Sequence, residues 1–133
     1  ESLIGFCAGR LKPGGQLSLN FYNPAAKVYR NLIRGNFDWL DGRQHYIPDS
    51  GSLTPRAPCS VDDVQSWLKL HKFQLLNVSG VRVFHDYVVE KRGGLTDIEA
   101  VVEKELEFSD QEPYRWLGRY LHFSAQSTPV TDL

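Results

Sequence analysis

The chain has 133 residues, 41% of them hydrophobic and 12% aromatic, with 15 Lys+Arg against 16 Asp+Glu. That is enough apolar material for one domain with a real core, and it excludes a disordered or polybasic chain. The net charge of −1 still leaves room for a local basic stripe, and two cysteines, Cys7 and Cys59, are too few for a disulfide scaffold and read as reduced thiols of a cytoplasmic protein.

The first residues, Ser2 to Leu11, read as the end of an amphipathic helix running into the Pro13-Gly14-Gly15 turn. No methionine occurs anywhere, so the chain is expected to be a piece of a longer protein. Gln16 to Tyr22 alternates, with Leu17, Leu19 and Phe21 on one face, and predicts a strand. Asn23-Pro24 stops it and opens a helix over Ala25 to Arg34, proline sitting well in a first turn. Val28, Tyr29, Leu32 and Ile33 fall at helical spacing there. Lys27, Arg30 and Arg34 stand at i, i+3 and i+7 on the other side, and Gly35 is placed to end the helix.

Residues 41–58 are polar and rich in Gly, Pro and Ser, which predicts a long loop with room for a functional role. Ser60 and Asp63 make a capping box, with Val64, Trp67, Leu68 and His71 as the inner face of the helix that follows. Phe73 to Val83 is strand-like, with a break expected at Ser79-Gly80. Thr96 and Glu99 make a second capping box before a helix with Ile98, Val101, Val102 and Leu106 at helical spacing. Past Glu112-Pro113-Tyr114 and Gly118 comes a last strand, Arg119 to Ala125, and then a flexible tail, 126–133. The alternation of helices and strands places the chain in the α/β class. No apolar run reaches the ~20 residues of a membrane helix, so no membrane partner is expected.

Several chemistries are missing. Gly14-Gly15 precedes a strand and Gly93-Gly94 precedes a capping box, so neither forms the strand-loop-helix cradle of a phosphate or nucleotide. No Gly-x-Ser-x-Gly elbow occurs. His45, His71, His85, His122 and the cysteines do not fall at metal-ligand spacing, and no metal is expected. His85 and Asp86 are adjacent, so on a strand they would face opposite ways. No catalytic acid–base pair is assignable.

Leu11-Lys12-Pro13-Gly14-Gly15-Gln16-Leu17-Ser18-Leu19 resembles the run into the fifth strand of class I methyltransferases that use S-adenosylmethionine. Phe21-Tyr22-Asn23, Gly35-Asn36-Phe37-Asp38, Leu53-Thr54-Pro55, Val81 to Tyr87, Gln111 to Tyr114 and Leu117 to Tyr120 narrow the likeness. Together they resemble the tRNA 5-carboxymethoxyuridine methyltransferase family, over nearly the whole chain but only its C-terminal half. The resemblance implies an α/β piece of a Rossmann-like fold: strands five, six and an antiparallel seven lying between them, with flanking helices. It implies that the full enzyme uses S-adenosylmethionine to esterify the carboxymethoxy group of a wobble uridine, with the anticodon region of tRNA as partner. The family's cofactor contacts lie on strands one to four. This chain alone, residues 1–133, is therefore expected not to bind S-adenosylmethionine and to self-associate through the strand edge left open. A small-molecule methyltransferase fragment and a truncated, non-catalytic interaction domain are the alternatives.

In such a sheet, ligands bind beyond the carboxyl ends of the parallel strands. That rim would gather Tyr22 and Asn23 from strand five, Arg82, His85 and Asp86 from strand six, and Tyr114 and Arg119 before strand seven. These are the candidate substrate-binding residues. Arg82, flanked by Val81 and Val83, is aimed by alternation away from their face and could orient a carboxylate. An ion pair with Asp86 is the competing role. Tyr22 and Tyr114 fit core packing nearly as well as substrate contact. Lys27, Arg30 and Arg34 are the candidate RNA-binding residues, although on pattern alone a solvated helix face explains them better.

Overall fold

In the computed structural model, residues 2–42, 59–88 and 97–128 are described. The expected loop contributes only Asp41 and Gly42 to that set. Leu53-Thr54-Pro55, Gly93-Gly94, Thr96, His45 and the tail from residue 129 lie outside it. Three strands, β1 (Gln16–Tyr22), β2 (Phe73–Val81) and β3 (Tyr120–Ser127), form one sheet in the order β1-β3-β2. β3 is antiparallel to both neighbours, so β1 and β2 run the same way. The last strand lies in the middle, as the resemblance implies. It ends at Ser127, two residues beyond the expected end. Gln126 and Ser127 pair with β1 and β2 and are not part of a tail.

The core lies on one sheet face. Leu121, Phe123 and Ala125 of β3 are fully buried there. Leu17, Leu19 and Phe21 of β1 pack against them, opposite Ala125, Phe123 and Leu121 in register. Helices α1 (Ser2–Ala8) and α4 (Val61–Leu70) cover this face with Ile4, Val64 and Leu68. The Ser60 hydroxyl caps α4 by accepting the Asp63 N–H at 3.0 Å. Of the expected inner face, Val64 and Leu68 are buried, whereas Trp67 and His71 are half-buried.

β2 departs from the expected strand in two ways. It runs unbroken through Ser79-Gly80, and its irregularity falls between Leu75 and Asn77. Leu75 and Val78 are three apart, so strict alternation would send them to opposite faces. The one-residue bulge resets the alternation and lets both meet the core. Gly80 marks a close approach of backbone. A Cβ there would lie 2.4 Å from the Arg115 carbonyl oxygen, and one at Gly118 would lie 2.7 Å from Val81 N. The short 3-10 helix Tyr114–Leu117 thus sits against the end of β2 because two glycines admit it.

α2 (Pro24–Ile33) begins at Pro24, with Asn23 as its cap, and is followed by Gly35 at φ 70°. A one-turn helix, α3 (Phe37–Leu40), follows. α5 (Ile98–Ser109) is capped by Asp97, whose carboxylate accepts the Ala100 N–H at 3.0 Å. This replaces the expected Thr96–Glu99 box. Of the four apolar residues at helical spacing on α5, Ile98, Val102 and Leu106 face out, 63%, 51% and 70% exposed, while Val101 is half-buried. Val101, Glu105, Phe108 and Ser109 are the half-buried positions. The Glu105 carboxylate, which satisfies three backbone donors at residues 83–85, accompanies this rotation of the helix. Among the described residues no helix is long and apolar enough to cross a membrane.

Candidate functional site

The parallel strands end side by side, because Tyr22 of β1 and Val81 of β2 both pair with Tyr120 of β3. Backbone bonds stitch the rim together. The Asn23 N–H donates to the Arg119 carbonyl at 3.0 Å, and the Arg119 N–H donates to the Arg82 carbonyl at 3.3 Å. Three residues far apart in sequence are thereby fixed at one edge.

Arg82 follows β2 in a left-handed conformation, φ 59°, and is not part of the strand. Alternation therefore does not aim it: Val83 is 3% exposed while Val81 is 36% exposed, so they do not share a face. Arg82 is aimed by Asp86, four residues on, with which it makes an ion pair. Asp86 lies in the 3-10 helix His85–Tyr87, its side chain 6% exposed. Its other oxygen accepts from Arg119 Nη1 at 3.1 Å. Both arginines keep exposed surface, 43% for Arg82 and 26% for Arg119. The competing role of Arg82 is thus realised, and it leaves part of the side chain exposed.

Arg30 of α2 faces the same cluster. Burial lowers its guanidinium below the ordinary range; Arg34 and Arg119 lower it further, with Arg82 adding a smaller push and Asp86 opposing. Arg30 thus feels three other guanidiniums and one carboxylate, so among the described residues positive charge outweighs negative around it. Such a site attracts anions, and the planar fork of arginine suits carboxylates and phosphates.

Aromatic rings frame the cluster. Tyr22 and Tyr120 pack at 4.8 Å between ring centres, and Tyr29 of α2 meets Tyr87 edge-on at 5.4 Å. The Tyr87 hydroxyl donates to the Leu117 carbonyl at 2.5 Å. Burial first, then Asp86 and Tyr29, push its pKa up to about 12. Burial, then a hydrogen bond to Tyr22, raises that of Tyr120.

Not every candidate joins the rim as an open contact. Asn23 is 5% exposed. Both its amide protons are committed, to the carbonyls of Trp116 at 2.7 Å and Gly118 at 2.9 Å. Its Oδ1 accepts the Ala25 N–H at 3.1 Å. It shapes the rim and has no amide proton to offer a ligand. Tyr114 packs edge-on against Phe108 of α5 at 5.0 Å. The His85 side chain is exposed, and its backbone N–H is held by Glu105. Lys27 leans over the Trp39 ring of α3, 5.0 Å from its centre, so the basic row of α2 divides between α3 and the rim. Sequence reasoning missed Tyr29, Tyr87, Tyr120 and Glu105. The outward Ile98-Val102-Leu106 stripe hides the inward Glu105. Among the described residues, no cluster of His, Cys, Asp and Glu could hold a metal ion.

A charged rim beyond the ends of parallel strands is where open α/β sheets bind their ligands, so the chain has the layout of an α/β ligand-binding protein. No protein-family model matches the chain. Over 124 residues it is 40% identical to the tRNA 5-carboxymethoxyuridine methyltransferases of Escherichia coli O157:H7 and Escherichia coli strain K12. The match takes in 92% of this chain and 46% of each relative, and it falls on their C-terminal half. The chain therefore spans about half the length of the curated relatives it matches, and the resemblance read from its motifs holds.

Proposed function

We propose that this chain is the C-terminal half of a cytoplasmic, S-adenosylmethionine-dependent tRNA methyltransferase that forms the methyl ester of 5-carboxymethoxyuridine at the wobble position. β1, β2 and β3 are then strands five, six and seven of its sheet. The 40% identity across 92% of the chain carries this reading. The rim supplies its chemistry. An acceptor carboxylate has an ordinary pKa of about 4 and is ionised at neutral pH. It needs no general base, only binding and orientation. Arg82 and Arg119 offer this, held in place by Asp86. Arg30 and Arg34, with Lys27 beyond them, would meet tRNA phosphates near the anticodon.

The methyl donor must bring its methyl group up to the carboxylate held at the rim, but the sequence has no strand-loop-helix cradle for the donor's nucleoside. Donor binding is therefore assigned to the half of the relatives that this chain does not match. The 133 residues alone should not hold S-adenosylmethionine. They should self-associate through the outer edge of β1, which has no strand partner among the described residues.

The test is Arg82→Ala in the full-length protein. Losing a charged hydrogen bond to the acceptor costs about 1.5–3 kcal/mol. That corresponds to a roughly ten- to hundred-fold fall in kcat/KM on tRNA, with affinity for S-adenosylmethionine unchanged. An unchanged kcat/KM, or equal losses of stability and cofactor affinity with the rate on bound tRNA intact, would assign Arg82 to structure alone.

A further inference from the structure

The turn that carries Arg82 and Asp86 has an occupant of its own. Glu105 of α5 directs its carboxylate at three successive backbone N–H groups. Oε2 accepts from Val83 at 2.5 Å, and Oε1 accepts from Phe84 at 3.1 Å and His85 at 2.8 Å. A run of N–H groups converging in this way is a concavity built for an anion. Here the anion is supplied from within the chain, from a helix 20 residues further on. The residue entering the concavity, Arg82, stands at φ 59°. A side chain with a Cβ enters that region at a cost and stays there only where its surroundings hold it.

We infer that Glu105 is a positioning residue of the rim: by filling the N–H concavity at residues 83–85 it fixes the turn whose two ends, Arg82 and Asp86, carry the anion site. This rests on the reading that Arg82 orients the acceptor carboxylate. Three features make Glu105 more than an ordinary surface acid. Its two oxygens satisfy three donors, one of them on Val83, which is buried. It is half-buried on a helix whose apolar stripe is left outside. The residues it holds are interleaved with the ion pair, so the turn cannot relax without moving Arg82 relative to Asp86. A filled concavity also keeps an incoming anion from binding the backbone, and leaves the arginines as its partners.

Gln in place of Glu105 keeps the size but loses the charge and turns one acceptor into a donor, which repels an N–H. The experiment is a double-mutant cycle in the full-length protein: Glu105→Gln, Arg82→Ala and both together, with kcat/KM measured on tRNA and melting temperature measured in parallel. If Glu105 acts through Arg82, Glu105→Gln lowers kcat/KM by about ten-fold alone and by less than about two-fold in the Arg82→Ala background. Equal factors in the two backgrounds overturn the inference while leaving the role of Arg82 intact. An Arg82→Ala that leaves kcat/KM unchanged overturns the underlying reading and the inference with it. Should Glu105→Gln not fold, Glu105→Asp keeps the charge but sets it one methylene back. The same cancellation by Arg82→Ala is required of it, with a smaller single-variant loss.

Discussion

Asp86→Asn removes the one carboxylate that both Arg82 and Arg119 engage and nearly preserves its shape. The cost follows from the exposure of each partner. The bond to Arg82 reaches a side chain 43% exposed, where solvent screening leaves an ion pair worth about 0.5 kcal/mol. The bond to Arg119, 26% exposed, is better shielded and is worth about 1.5 kcal/mol. The Asn amide oxygen still accepts one N–H, while the cations that share the field, Arg30 among them, lose their counter-charge. The net expectation is about 2 kcal/mol of destabilisation, a fall in Tm of roughly 4–8 °C. The loss should depend on the anion present. Phosphate at matched ionic strength should restore more Tm to the variant than to the wild type, because it can supply the lost counter-charge from the exposed side of the guanidiniums. Chloride, which only screens, should restore less. The assay is thermal unfolding of the full-length protein and its variant across a phosphate and a chloride series. A variant as stable as wild type, or one whose loss is the same in both salts, would refute the account of Asp86 as the resident counter-ion of an anion site.

Asn23→Ala should cost about 3 kcal/mol in chemical denaturation, as the sum of a helix cap and the loss of donors to one buried and one part-buried carbonyl; Asn23→Asp restores only the cap acceptor and should recover less than half. Tyr87 titrates at about 12, above the ordinary 10.0, so the stability it contributes is whole below pH 10 and is lost as the pH climbs toward 12. Tyr87→Phe should remove that slope, and about 1 kcal/mol at neutral pH with the bond to the Leu117 carbonyl; an unchanged slope in the variant would mean another group carries it.

Alternation made β1 legible, because Leu17, Leu19 and Phe21 lie on a sheet with one buried face. The central place of the last strand came from the resemblance, since no pattern within β3 encodes its neighbours. The bulge in β2 was written in the three-residue spacing of Leu75 and Val78, but the same spacing also fits a broken strand. Gly80 pointed to that break, when its real cause is the backbone of the 3-10 helix lying against it. On α5, periodicity favoured Ile98, Val102 and Leu106, because hydropathy carries no term for a carboxylate that satisfies three successive backbone donors. The convergence of Arg82, Asp86 and Arg119 was legible from topology. The aim of Arg82 was not, because a left-handed residue after a strand breaks the alternation used to place it. Asn23 and Tyr114 show the limit of reasoning from strand ends. Proximity to a rim does not say whether a side chain is spent on the fold.

The two arginines that share Asp86 are not equivalent, and the difference bears on which one meets an incoming anion. Arg119 is tied on three sides: its carbonyl accepts from Asn23, its N–H donates to Arg82, and its guanidinium stands 5.6 Å from the centre of the Tyr120 ring. It sits at the start of the central strand and is the less exposed of the pair. Arg82 sits on a turn held through its neighbours and shows nearly half its side chain to solvent. A guanidinium has five N–H donors, so Arg82 can keep its bond to Asp86 and still present others outward. Asp86 thus does for Arg82 what a packed element does for Arg119: it removes rotamer freedom before a ligand arrives, which lowers the entropy cost of binding. A second carboxylate at the same place would offset more of the positive charge and weaken the attraction. No carboxylate would leave the guanidiniums to repel one another and scatter. One carboxylate among several arginines is the arrangement in which the cluster is both ordered and still short of negative charge.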